Sequence, residues 1–276
     1  MKDSNALTPY QIAALRIFSA GLIFLPFGFF HFSKIPRQKT GTVLLSAVFG
    51  NLLPAFLFAI ALTKIDGSLA GILNSLTPIC VVIISILFFK TKIKKQKIIG
   101  VITGFLGLVI LTIYPVLTGD KNINLNNVGF SLLILLATFL YGINVNMVGH
   151  YLRGINPIYI ATVSLSFMTI PTAIVLWQQG FHELNFKDSA IQLAVLSSAG
   201  LGIVGSAFAT ALFYILVHRS GGLFASLVTY GIPFVALGWG FLDGEKITLI
   251  EIACLGLILF GVYLANMPEK KEATPD

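Results

Sequence analysis

Long apolar runs separated by short polar stretches occupy almost the whole chain. They cover Tyr10–Phe32, Thr42–Leu62, Ser68–Phe89, Ile98–Leu117, Val128–Gly149, Ile158–Trp177, Ile191–Val217, Leu223–Leu242 and Ile247–Met267. A hydrocarbon core about 30 Å thick takes about 20 helical residues at a rise of about 1.5 Å each. Every run is that long, and each is continuous rather than alternating, which selects helices over strands. The pattern predicts an all-α membrane protein, a polytopic bundle of about nine transmembrane helices. The polar segment Met1–Pro9 precedes a first run too long for a signal-peptide core and without a small-residue cleavage site, so no cleavable leader is expected.

Composition agrees. Of 276 residues, 56% are hydrophobic and only 11% are charged, against about 25% in soluble domains; the mean hydropathy is +0.91. The net charge of +7 does not point to nucleic acid, because the cations flank apolar runs and form no basic soluble domain. Their distribution instead gives orientation. Lys34, Arg37 and Lys39, then Lys90, Lys92, Lys94, Lys95 and Lys97, then Arg153, Arg219, Lys270 and Lys271 fall in alternate gaps; Lys2, Lys64, Lys121, Lys187 and Lys246 fall in the others. The richer set marks the cytoplasmic side. This places the N-terminus outside and the C-terminus in the cytoplasm, in a cell (inner) membrane crossed many times.

The chain repeats itself. Asp66–Pro78 aligns with Gly221–Pro233 at one offset, matching Gly67 with Gly222, Ala70 with Ala225 and Pro78 with Pro233; the same offset sets Gly50 on Gly205 and Phe58 on Phe213. Leu7-Thr-Pro9 matches Ile155-Asn-Pro157 at another offset. The expected organisation is a first repeat over residues 1–120, a second over 126–268 and a short tail over 269–276. The second unit has five helices and the first only four, because nothing apolar precedes Leu7. Equivalent helices point opposite ways under the charge rule, and inverted repeats of this kind suit alternating access.

These residues resemble the drug/metabolite transporter superfamily, EamA type. The resemblance rests on Leu7-Thr-Pro9 with Ala14-Leu-Arg16, on the Gly/Ala-rich helices running into Pro78 and Pro233, and on Leu242-Asp-Gly-Glu245-Lys-Ile-Thr248 before a glycine-punctuated last helix. It implies ten helices in two inverted five-helix repeats and carriage of small metabolites such as amino acids, nucleosides and toxic compounds, often outward. Two departures stand out. The family's leading helix has no counterpart here, which leaves a late-started chain and a genuine nine-helix variant open. Lys90 also stands where the second copy has Glu245.

The acidic residues all fall in loops, in tails or near helix ends. A buried carboxylate relay, the usual device for ion coupling, is therefore not expected. Arg16 alone carries positive charge within an apolar run, about 9 Å from its start by helix rise. It reads either as a snorkelled interfacial anchor or as a substrate-anion contact. Polar groups at mid-depth should face the bundle interior, since an amide in lipid leaves donors unpaired. Asn51, Asn74, Ser75, Thr77, Tyr141, Asn144, Tyr214, Thr229 and Tyr230 are the pathway candidates, with Asn74 and Thr229 at matching repeat positions; interhelical hydrogen bonding is the bland alternative. Tyr141 and Asn144 share a helix face, while Asn146 points elsewhere. Pro78 and Pro233 read as hinges or static kinks. The face bearing Gly100 and Gly104 suits close helix packing, within the chain or across a homodimer.

Cys80 and Cys254 lie in apolar runs, the four histidines sit at span ends or in loops, and no metal-binding or nucleotide-binding motif occurs. Neither a cofactor, a metal nor enzymatic activity is expected. The reading is a secondary transporter or facilitator of a small-molecule metabolite, embedded in the lipid bilayer, with export favoured. A nucleotide-sugar or lipid-linked substrate carrier, and a non-transporting scaffold or fragment, remain alternatives.

Overall fold

The matched dipeptides Thr8-Pro9 and Asn156-Pro157 are helix starts. In the computed structural model, which describes residues 6–65, 67–117, 128–232, 234, 235, 238, 242 and 248–267, Thr8 caps α1 (Pro9–Phe32). Thr8 Oγ1 accepts from the Gln11 backbone amide at 3.2 Å, and Gln11 Oε1 accepts from the Thr8 amide at 2.8 Å, a reciprocal box that satisfies two orphan donors. Asn156 caps α7 (Pro157–Gln178) with a single bond, its Oδ1 accepting from the Ile158 amide at 2.9 Å. Proline follows each cap, where its missing N–H costs nothing.

The remaining helices are α2 (Arg37–Ala61), α3 (Gly67–Asn74), α4 (Thr77–Leu87), α5 (Lys95–Leu117), α6 (Val128–His150), α8 (Ser189–Ser220), α9 (Gly222–Gly231) and α10 (Leu249–Asn266). Five of them, α1, α2, α6, α7 and α8, are long and apolar enough to cross a membrane. Large apolar side chains point outward, with Phe29 81% and Leu249 84% exposed. Water would penalise that surface and lipid does not. The chain is a multi-pass helical membrane bundle.

Repeat-equivalent helices cross in antiparallel pairs. The start of α1 meets the end of α7, where Gln11 Nε2 donates to the Gln179 carbonyl at 2.9 Å. The end of α1 meets the start of α7 through His31 Nδ1 and Thr162 Oγ1, 2.9 Å apart. A Cβ on Gly21 would strike Thr169 and the Leu165 carbonyl, so glycine sets the closeness of this crossing. In the other pair, Gly100 and Gly104 of α5 pack backbone to backbone against Gly261 of α10. Their small-residue face is thus used within the chain.

Both repeats interrupt their helices at the same places. A π turn over Val48–Leu52 divides α2, and one over Ile203–Phe208 divides α8; the offset that matches Gly50 with Gly205 superposes them. Pro54 removes a backbone donor beside the first turn, but Ala209 stands at that offset in the second, so proline is not its only cause.

The run Ser68–Phe89, expected as one span, is two helices. α3 stops at Asn74, Ser75 and Leu76 form a turn, and Pro78 lies in the first turn of α4 rather than in a mid-helix kink. In the second copy α9 tightens into a 3₁₀ turn over Leu227–Gly231. Pro233 and Glu245 lie outside the described residues.

Lys92, Lys94, Lys97, Arg153 and Arg219 of the richer cation set gather at one end of the bundle, where the segments around the ends of α4, α6 and α8 line a common cavity. Below them Val81, Val145, Val217, Tyr214 and Ala225 form a buried apolar layer. A second cavity lies on the other side of that layer.

Candidate functional site

This second cavity, about 710 Å³, takes walls from both repeats. Arg16 reaches it from α1, Gly50 and Asn51 from the π turn of α2, and Asn74 and Thr77 from the two sides of the α3–α4 break. Tyr141 and Asn144 enter from one face of α6. Gly205, Thr210 and Tyr214 enter from α8, and Ser226 and Thr229 from α9. The interruptions explain why polar groups collect here. A π turn or a helix break frees backbone groups in mid-membrane, and these are tolerated only where protein or a cavity can satisfy them.

Two hydrogen bonds join the repeats at the cavity, and a third braces its wall within the second repeat. Arg16 Nε donates to Ser206 Oγ in the second π turn at 2.8 Å. Thr210 Oγ1 donates to Asn51 Oδ1 in the first at 2.9 Å. Asn144 Nδ2 donates to the Tyr214 hydroxyl at 3.4 Å. Asn51 and Ser206 are repeat equivalents, so each half engages the other at the same position. Arg16 is therefore turned into the bundle, not snorkelled to the interface.

Three buried polar atoms in these walls have no hydrogen-bond partner in the protein: Asn51 Nδ2, Asn74 Oδ1 and Asn144 Oδ1. Buried polar groups are almost always paired, so one donor and two acceptors converging on a cavity beside a guanidinium form a surface complementary to a polar ligand. Among the described residues no aspartate or glutamate lines the cavity, and no cluster of three His, Cys, Asp or Glu could hold a metal.

Eight of the pathway candidates, Arg16, Asn51, Asn74, Thr77, Tyr141, Asn144, Tyr214 and Thr229, line this one cavity. Ser75 and Tyr230 do not. Ser75 is buried in the turn after Asn74. The Tyr230 hydroxyl donates to the Val101 carbonyl at 2.9 Å, and its ring covers Gly104. Each follows a lining residue by one position, and adjacent helical residues point about 100° apart. Asn146, two residues past Asn144, ties α6 to α4 through the Val81 carbonyl at 3.1 Å. The repeat offset matches Gly50 with Gly205, but depth and polarity single out neither these glycines nor Ser206 and Thr210 as site residues. Ser206 and Thr210 stand one turn apart, but their run also carries Gln192, Ser197 and Ser198, so polarity alone does not single them out.

Residues 2–113 and 130–267 match the model of the EamA-like transporter family. The chain belongs to this family. An uncharacterized transporter of Archaeoglobus fulgidus is 26% identical over 94% of this chain and 88% of its own length. One of Acidianus ambivalens is 21% identical over 93% of each. A WAT1-related chloroplastic protein of Arabidopsis thaliana is 23% identical over 98% of this chain and 66% of its own length. A solved crystal structure superposes with a TM-score of 0.68 over 95% of this chain and 88% of its own, at 18% identity, a likeness of fold alone. This EamA-family chain is thus a membrane transporter and not an enzyme.

Proposed function

We propose that this protein is a secondary carrier of small polar organic metabolites, of amino-acid or nucleoside size, working by alternating access with export as its direction. The observation that carries this reading is the set of unpartnered atoms around the inter-repeat cavity. Arg16 and Asn51 Nδ2 offer donors suited to a carboxylate or hydroxyl; Asn74 Oδ1 and Asn144 Oδ1 offer acceptors suited to an amine or amide. The volume of about 710 Å³ suits ligands of this size.

The proposed moving parts are the repeats over residues 1–120 and 126–268. The proposed orientation puts the cation-rich end and the C-terminus in the cytoplasm of a cell with this protein in its (inner) membrane. The Val81–Val145–Val217 layer then separates the cavity from the cytoplasm, and a transport cycle would part it. Rocking of one repeat against the other about the Asn74 and Thr229 positions would do so. With no carboxylate among the described wall residues, coupling through a buried acid is not part of the reading.

The test is flux through purified protein in proteoliposomes, using radiolabelled amino acids and nucleosides. Saturable movement of a subset is expected. No movement of any member would favour a non-transporting scaffold and sink the proposal.

A further inference from the structure

The cation-rich end holds a cavity of its own, about 650 Å³, on the far side of the apolar layer. Its rim gathers Lys92, Lys94, Lys97, Arg153, His218 and Arg219 from three separate chain segments: the α4–α5 loop with the start of α5, the turn after α6, and the end of α8. No aspartate or glutamate among the described residues lines it. The charge rule for membrane orientation needs cations near this surface. It does not need Lys92, Lys94, Arg153 and Arg219 to converge on one concavity, where an anion would reduce their mutual repulsion.

A second observation points to a ligand. His218 Nε2 is buried in this wall and has no hydrogen-bond partner in the protein. By contrast His150 is fully engaged. Its Nδ1 lies 3.0 Å from the Asn146 carbonyl and its Nε2 lies 3.2 Å from Thr91 Oγ1. Two arginines, the ammonium groups of Lys92 and Lys94 and an unpaired imidazole nitrogen together suit an anion with several acceptor oxygens.

We infer that this pocket is a binding site for a phosphate-bearing anion, separate from the inter-repeat cavity. Guanidinium forks bind phosphate through paired, charge-assisted hydrogen bonds, and lysines add point charges around it. The phosphate could belong to a soluble ester or to an anionic lipid headgroup, and one experiment separates the two. Val145 lines both cavities, so an occupant here would sit directly over the layer that closes the inner one.

The experiment uses the full chain in phosphatidylcholine nanodiscs with radiolabelled inorganic phosphate as probe. In parallel, native mass spectrometry follows adducts on protein from nanodiscs containing phosphatidylglycerol. Saturable phosphate binding, weakened about tenfold or more in Arg153→Gln/Arg219→Gln, supports the site with a soluble source. Phosphatidylglycerol retention lost in the same variant, without phosphate binding, supports it with a lipid source. The control Lys34→Gln/Arg37→Gln removes two cations from the same end outside the cavity and should change neither. The inference is overturned if neither probe binds, or if both double variants weaken binding equally, which is bulk surface charge. Unchanged thermal melting confirms that the variants are folded.

Discussion

The Asn144 amide rests directly on the backbone of Gly50, so that a Cβ at Gly50 would occupy the space of the amide itself. The repeat mate Gly205 meets only the flexible end of Leu201. Two glycines at one repeat position thus have different duties. Gly50→Ala is expected to push Asn144 away from Tyr214 and cut flux strongly while the protein stays in the membrane. Gly205→Ala should leave flux close to wild type. Parallel flux assays on the two variants, normalised to membrane abundance, check the contrast; equal effects would contradict it.

Arg16 holds the second π turn through Ser206 and is the only cation among the described residues that line the inter-repeat cavity. Removing a charge-assisted hydrogen bond costs about 1.5–3 kcal/mol. Arg16→Gln should therefore lower the flux of a carboxylate-bearing substrate about tenfold or more. Its effect on a substrate lacking a carboxylate should be smaller. Comparing a transported amino acid with its amide derivative measures the difference.

Tyr214 and Tyr230 are both fully buried, yet only Tyr214 faces the cavity. Tyr230→Phe removes the bond to the Val101 carbonyl and should cost about 0.6 kcal/mol of stability, with the apparent KM unchanged. Tyr214→Phe removes the partner of Asn144 and should raise the KM. Thermal melting in detergent and concentration-dependent flux separate these outcomes.

The α5–α10 crossing has no room for a methyl group, because a Cβ on Gly100 would meet the backbone at Gly261 and Ala265. Gly100→Ala should destabilise by about 1–3 kcal/mol, the usual cost of overpacking. A Cβ on Gly41 in α2 meets nothing, and Gly41→Ala should stabilise by up to about 1 kcal/mol through helix propensity. Opposite shifts in unfolding temperature are the expected signature.

Membrane insertion and helix starts were legible in the sequence because they depend on local properties. An apolar run of sufficient length has few alternatives to a helix in lipid, and Thr8-Pro9 and Asn156-Pro157 carry their caps in adjacent residues. The repeat offset already superposed Gly50 on Gly205, but nothing in either segment announced a π turn, which depends on what packs against the helix. The break at Ser75 was equally hidden, since Ser68–Phe89 is apolar enough for one helix and Pro78 alone is compatible with a kink. Depth and polarity singled out Asn74 and Thr229. Neither depth nor polarity could separate them from Ser75 and Tyr230, which differ in angular position about axes that the breaks redirect.

The central claim is that the cavity between the repeats carries the substrate, and substitution at the Asn74 and Thr229 positions tests it most directly. Asn74→Leu and Thr229→Val replace cavity-lining polar groups with apolar ones of similar size. Flux of a transported metabolite in proteoliposomes should fall in both, at unchanged abundance and melting temperature. Wild-type flux in both variants would contradict the account.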